Sequence, residues 1–286
     1  MQDFDVAVLD QWGVLHDGSA AYPQVNNAIQ LLSLQSKPIV VLSNSGKRAE
    51  LNRKRIAKIG LPVDLISYVV TSGEALWEDV QSGQLSVHLK LSDESLPKTV
   101  FPICATEQDA RDWAKDSSKI EIVFELDKSV NFLMLMGLPD GSLPDAYDDT
   151  FAKALELRIP LVCSNPDKTS PRASGLVISP GALAERYEQM GGHVLWYGKP
   201  HANVFGAVAR RFPEIDPSRF LMIGDSFEHD IGGAQGAGML SAIVRGGIHA
   251  KEFTKAQSEQ EIAAVSKRLV NLHDVESPNY SLEFLA

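Results

Sequence analysis

The sequence predicts an α/β protein with a parallel-sheet core that is interrupted by an inserted α/β domain. Two observations predict it. Short apolar runs that end in small polar or acidic residues alternate with stretches of helical periodicity. Between about Ala75 and Met190 that alternation restarts with its own apolar pattern, over a length sufficient for a separate domain. The expected division is a discontinuous core, residues 1–74 and 191–286, around an inserted domain, residues 75–190.

The first element is Phe4 to Leu9, an apolar run broken once by Asp5 and ending at Asp10-Gln11-Trp12-Gly13, which reads as a buried strand with a polar tip. Val25, Ala28, Ile29 and Leu32 fall at helical spacing within about Pro23 to Ser36. Pro38 to Leu42 is a second apolar strand and ends at Ser43-Asn44-Ser45-Gly46. A helix near Lys47 to Ile59 leads to Tyr68-Val69-Val70 and a Thr71-Ser72-Gly73 turn. Strand, helix and strand in this order predict parallel pairing, and ligands of such sheets bind at the carboxyl ends of the strands. Thr99 to Ile103, Ile120 to Leu126, Val130 to Met136 and Pro160 to Cys163 are the expected strands of the inserted domain. The core pattern is expected to resume at His193 to Tyr197, Arg219 to Ile223 and Leu240 to Val244. A mildly amphipathic helix follows around Ile262 to Leu272, and then a polar tail to which no chemistry is assigned.

Composition narrows the function. The chain has 286 residues, 44% hydrophobic and 22% charged, with a formal net charge of −10. That charge disfavours phosphate backbones and anionic lipid, so neither nucleic acid nor a membrane surface is an expected partner. No apolar run approaches the about 18 residues of a membrane span. Two cysteines, Cys104 and Cys163, imply no disulfide framework and fit small core residues in a reducing cytoplasm.

Four strand ends supply Asp10, Ser43 with Asn44, Lys199, and Asp225 with Asp230, and a parallel sheet would gather them at one rim. Together they form a set suited to phosphoryl transfer. A carboxylate attacks phosphorus only when the charge on both anions is offset, which Mg²⁺ and a lysine do. A second carboxylate holds the metal, because Mg²⁺ prefers oxygen ligands. The Ser43 hydroxyl and backbone amides opening a helix at Gly46 are candidates for binding phosphate oxygens.

Val8-Leu9-Asp10-Gln11-Trp12-Gly13-Val14-Leu15 resembles the first signature of the haloacid dehalogenase superfamily. Val41-Leu42-Ser43-Asn44-Ser45 resembles the second, Tyr197-Gly198-Lys199-Pro200 the third, and Ile223-Gly224-Asp225 through Asp230-Ile231 the fourth. Asn165-Pro166-Asp167 ahead of Pro180-Gly181-Ala182-Leu183, with roughly 150 residues between the second and third signatures, is similar to the class IIA branch, which includes NagD-like sugar phosphatases. The resemblance implies a Rossmann-like core with an inserted α/β cap and a Mg²⁺-dependent phosphatase acting on a small phosphorylated metabolite, sometimes as a homodimer. It implies Asp10 as nucleophile and metal ligand, Ser43 and Asn44 as phosphate and substrate contacts, and Lys199 as the neutralising cation. Asp225, Asp230 and the backbone carbonyl of Trp12 would complete the metal shell, and Arg172 would help bind an anionic substrate.

The chain departs from the family pattern at Trp12, where family phosphatases carry an acid/base aspartate. An indole neither protonates a leaving alcohol nor activates water, help worth roughly 10²–10⁴-fold. His16 and Asp17 are nearby candidates for that work, and the Trp12 side chain is a candidate for selecting substrate or for packing. A catalytically weakened phosphometabolite-binding protein and a dehalogenase-like hydrolase are therefore alternatives to a phosphatase.

Overall fold

A computed structural model describes residues 3–90, 97–172 and 175–286. Among these the strands are, in chain order, β1 (Val6–Asp10), β2 (Ile39–Ser43), β3 (Tyr68–Thr71), β4 (Lys98–Ile103), β5 (Ile120–Ile122), β6 (Phe132–Leu135), β7 (Leu161–Cys163), β8 (Thr169–Arg172), β9 (Gly175–Ile178), β10 (Val194–Trp196), β11 (Phe220–Gly224), β12 (Leu240–Val244) and β13 (Tyr280–Leu282). They form a six-stranded sheet in the order β13-β12-β11-β1-β2-β3, a five-stranded sheet in the order β10-β7-β6-β4-β5, and a β8-β9 ribbon. The chain divides into two compact units, one of Met1–Ser43, Glu50–Val70 and Lys199–Ala286, the other of Asn44–Ala49 and Thr71–Gly198.

In the first unit β1 lies between β11 and β2, parallel to both. Every residue of these three strands is buried, which is why their sequences read as unbroken apolar runs and not as alternating ones. Register fixes where their ends fall. Leu9 pairs with Ile223 and Asp10 with Leu42, so Asp10, Ser43 and Asp225 emerge at the same edge of the sheet. The helix Glu259–His273 is started by a capping box between Ser258 and Glu261, and its Leu269 packs with Phe227, Ile231, Ile243 and Phe253.

The polar tail is structured. Ala242, Ile243 and Val244 of β12 pair with Tyr280, Ser281 and Leu282. The ladder continues as Arg245 N–H and Gly246 N–H donate to the carbonyls of Leu282 and Glu283, each at 2.9 Å. Three residues at a sheet edge have no periodicity of their own to read; the exposed backbone of β12 specifies them.

In the second unit the five-stranded sheet is parallel, and Ile103, Leu133, Leu135, Phe151, Leu161, Cys163 and Tyr187 form its core. Cys163 is a buried core residue, whereas Cys104 is half-buried. The boundaries differ from residues 75 and 190. The segment 193–197, expected to restart the core, contributes β10 to this second sheet, with Val194, Leu195 and Trp196 opposite Leu161, Val162 and Cys163. Val194 and Trp196 pack on the second unit's apolar cluster, and that packing decides their sheet. At the other boundary, Gly73 N–H donates to Ser45 O at 3.1 Å and Thr71 Oγ1 to Lys47 O at 2.6 Å, tying 44–49 to the chain beyond Thr71.

Leu285 is buried just beyond β13. We expect Leu285→Ala to cost about 2 kcal/mol or more in denaturant unfolding, as for other buried leucines; a change under about 0.5 kcal/mol would mean that the tail is only laid on the surface.

Candidate active site

The parallel register brings β1 and β11 to a common edge, and three acidic residues meet there. One carboxylate oxygen from each of Asp10, Asp225 and Asp230 lies within 4.8 Å of the others, and all three residues are buried. Asp230 arrives from the π-helical segment Phe227–Gly232, a geometry frequent at functional sites. Its Oδ2 accepts from Ser226 N–H at 3.0 Å, and Ser226 Oγ accepts from His229 N–H at 3.1 Å. Lys199, the first residue of the last core segment, is 3% exposed; its Nζ donates to Asp10 Oδ1 and, at 2.6 Å, to Asp230 Oδ1.

Glycines make this crowding sterically feasible. A Cβ on Gly13 would lie 1.8 Å from Asp225 Oδ2, and one on Gly247 would lie 2.2 Å from the same atom. Gly13 also has φ +76°, a backbone region that disfavours side chains. A Cβ on Gly224 would lie 2.1 Å from Asp230 Cγ. Ile248 N–H donates to Asp225 Oδ2 at 2.8 Å, so the turn after β12 orients this carboxylate.

Burial pushes the Asp10 carboxyl up to about 7, with Lys199 opposing and Asp230 adding to the rise. Burial raises Asp225 well above the carboxylate range, and the charges of Asp10 and Asp230 add to it. Burial also works against the Lys199 ammonium, yet the two aspartates hold its pKa above the ordinary lysine value. Three carboxylates against one ammonium relieve their repulsion by holding protons, and they offer a set of hard oxygen donors that matches a divalent cation able to displace those protons.

The loop after β1 contains the remaining candidates. The half-buried Trp12 ring meets the His16 ring edge-on at 5.4 Å between centroids, and Arg55 lies over it at 5.6 Å. A Cβ on Gly18 would lie 2.1 Å from the indole, so the loop closes directly against it. His16 is fully buried, and its Nδ1 accepts from Gly18 N–H at 2.9 Å. The proton of the neutral ring is therefore on Nε2, 2.9 Å from Gln11 Nε2, while Gln11 Oε1 accepts from Asn52 Nδ2 at 2.8 Å; turning the Gln11 and Asn52 carboxamides over together gives His16 its acceptor and keeps the bond between them. Burial, with the Arg55 charge, pushes the His16 pKa down to about 4. Asp17 is an exposed turn residue whose Oδ1 accepts from the N–H groups of Ser19 and Ala20 at 2.8 and 2.9 Å, and these bonds lower its pKa. Both side chains expected as substitute acids are committed to building the loop.

Ser43 ends β2 and is buried beside the Asp10 strand. Asn44 belongs to the second unit, where its Nδ2 donates to Asp167 Oδ1 at 2.8 Å, tying the second signature to Asn165-Pro166-Asp167. The helix expected to open near Gly46 begins at Ala49, whose N–H is taken by Glu74 Oε2 at 2.9 Å. A Cβ on Gly46 would lie 2.5 Å from Met136 O, so this stretch is packed as second-unit structure. Arg172 ends β8, and its side chain lies outside the described residues. His201 stands before the helix Ala202–Ala209 without capping it.

Comparison with known proteins gives the family. Residues 7–98 match the family model described as haloacid dehalogenase-like hydrolase, and residues 196–272 match a second HAD-like hydrolase model. The chain is 33% identical to human chronophin over 286 residues, covering 93% of this chain and 88% of that protein. The chain belongs to the haloacid dehalogenase-like hydrolase family. It is 26% identical over 260 residues to human haloacid dehalogenase-like hydrolase domain-containing protein 2, covering 89% of this chain and 87% of that one. Among solved structures, a haloacid dehalogenase-like family hydrolase from Brucella suis superposes with a TM-score of 0.77 at 24% identity, covering 99% and 96% of the two chains. The p-nitrophenyl phosphatase from Archaeoglobus fulgidus superposes at 0.71 and 18% identity, covering 99% and 97%.

For this family member, sequence reasoning missed the roles of Gly13, Gly247 and Ile248. The one available signal was the Gly246-Gly247 pair immediately after an apolar strand, where close backbone approach is a common reason for glycine. The buried, neutral His16 also predicts a pH dependence. Its folded pKa lies below the unfolded value of about 6.5, so its contribution to stability is complete above 6.5 and is lost as pH falls toward 4. We expect an NMR titration to place His16 near 4 with the proton on Nε2; a midpoint near 6.5 would show an open ring able to act on substrate.

Proposed function

We propose that this hydrolase is a Mg²⁺-dependent phosphatase of a small phosphorylated metabolite, acting through an aspartyl-phosphate at Asp10. The observation that carries the reading is the Lys199 ammonium between Asp10 and Asp230, with Asp225 in the same cluster. Asp10, Asp225 and Asp230, with the Trp12 carbonyl, would hold Mg²⁺. When bound, the cation supplies charge compensation for the carboxylates and the phosphoryl oxygens. An Asp10 carboxylate oxygen attacks phosphorus while the bond to the leaving oxygen breaks; water then cleaves the aspartyl-phosphate and regenerates Asp10. Lys199 offsets the charge that attack of one anion on another accumulates. The Ser43 hydroxyl, beside Asp10, donates to a phosphoryl oxygen. Asn44, Arg172 and the Trp12 ring are assigned to substrate selection, and the second unit takes the part of the family's cap domain.

Structural relatives support the reading: besides the archaeal p-nitrophenyl phosphatase they include a Mycobacterium tuberculosis glycerol phosphate phosphatase, crystallised with calcium. The indole at the place of the acid/base carboxylate favours a second reading, a phosphometabolite-binding protein without turnover. A dehalogenase has no use for three clustered carboxylates and is disfavoured.

Phosphate release from p-nitrophenyl phosphate and a panel of sugar phosphates separates these readings. The expected result is Mg²⁺-dependent turnover that falls by more than about 1,000-fold in Asp10→Asn, with a phosphoryl group trapped on wild-type Asp10 by acid quench. Phosphate binding without turnover would establish the binding protein instead.

A further inference from the structure

We infer that the substrates are phosphate compounds whose leaving group departs as a stable anion without receiving a proton, acyl phosphates foremost; the inference rests on the phosphatase reading above. It follows from asking which groups at the strand ends and in the loop after β1 are able to protonate a leaving oxygen. Lys199 bridges two carboxylates and Asp225 receives the Ile248 N–H, so the strand-end groups are occupied with the nucleophile and the cation site. In the loop after β1, His16 has both ring nitrogens engaged, by Gly18 and Gln11, and Asp17 is folded onto its own turn. The Trp12 ring is held by His16, Gly18 and Arg55, and an indole has no carboxyl proton to give. Tyr22, half-buried at the end of the loop, keeps a phenol and is the group that the test below isolates.

The reaction balances without a donor when the leaving atom belongs to a carboxyl group. A bond forms from an Asp10 carboxylate oxygen to phosphorus, the bond from phosphorus to the acyl oxygen breaks, and its electron pair leaves on a carboxylate that is stable at neutral pH. Water then attacks phosphorus, the bond to Asp10 breaks, and the proton of the water passes to the phosphate product. In this second half the leaving group is itself a carboxylate, Asp10. A site that releases Asp10 from phosphorus is therefore already suited to releasing another carboxylate. An alcohol would have to leave as alkoxide, forgoing acid assistance worth roughly 10²–10⁴-fold.

The test is kcat/KM of the full chain with Mg²⁺ over acetyl phosphate, aryl phosphates of graded leaving-group acidity, and glycerol phosphate. The expected result is a steady fall as the leaving group becomes more basic, about 100-fold or more across the series. The slope should be unchanged in Tyr22→Phe and shallower in Trp12→Asp. A flat series in the wild type would overturn the inference, because a donor from elsewhere in the chain would then be at work. A slope that steepens in Tyr22→Phe would also overturn it, by identifying that donor as Tyr22. Turnover of no member, indistinguishable from Asp10→Asn, would overturn the phosphatase reading itself and this inference with it.

Discussion

Three buried carboxylates within 4.8 Å of one another set the constraint on which the rest of the first unit depends. A like-charged pair at about 4 Å repels by on the order of 4 kcal/mol at an effective dielectric of 20, and burial removes the water that would relieve it. Lys199 answers part of that repulsion through Asp10 and Asp230, while the Ile248 N–H attends to Asp225. The rest is relieved by the protons that Asp10 and Asp225 hold, which a divalent cation bound there would displace. The fold keeps the arrangement from relaxing by leaving no space for it to do so: Gly13 and Gly247 press on Asp225, and Gly224 presses on Asp230. The strand β13 supports this indirectly, since its ladder continues into Arg245 and Gly246 immediately before that turn.

The loop after β1 is built around Trp12. Trp12 is built in by an edge contact to His16, by Gly18 and by Arg55, and His16 is in turn fixed by Gly18 and Gln11 with Asn52 behind it. Trp12 is thus part of a network of contacts within the loop after β1 and its neighbours. A loop committed to holding an indole in place is consistent with an enzyme whose leaving groups need no proton.

Much of this was legible in the sequence because strands buried on both faces are written as unbroken apolar runs. β1, β2 and β11 are of that kind, and a candidate site residue ends or follows each run. Asp10, Ser43, Lys199, Asp225 and Asp230 could be placed at one edge by order alone. The illegible parts are those decided by partners remote in sequence. β10 is three residues long and joins the second sheet because β7 and its apolar cluster receive it. β13 exists because β12 offers an edge. The engagement of Asn44 with Asp167, 123 positions away, and the commitment of His16 to Gly18 and Gln11 are side-chain geometries that no periodicity encodes.

The account stands on the claim that the carboxylate cluster is a cation site held ready by the surrounding glycines and by Lys199. Calorimetric titration of the purified chain with Mg²⁺ near pH 7, in two buffers of different ionisation enthalpy, tests that claim most directly. Because burial holds Asp10 at about 7 and Asp225 well above its usual range, the account predicts one Mg²⁺ per chain, bound with release of protons, and loss of both signals in Asp225→Asn. Absence of binding, or binding that survives Asp225→Asn unchanged, would contradict it.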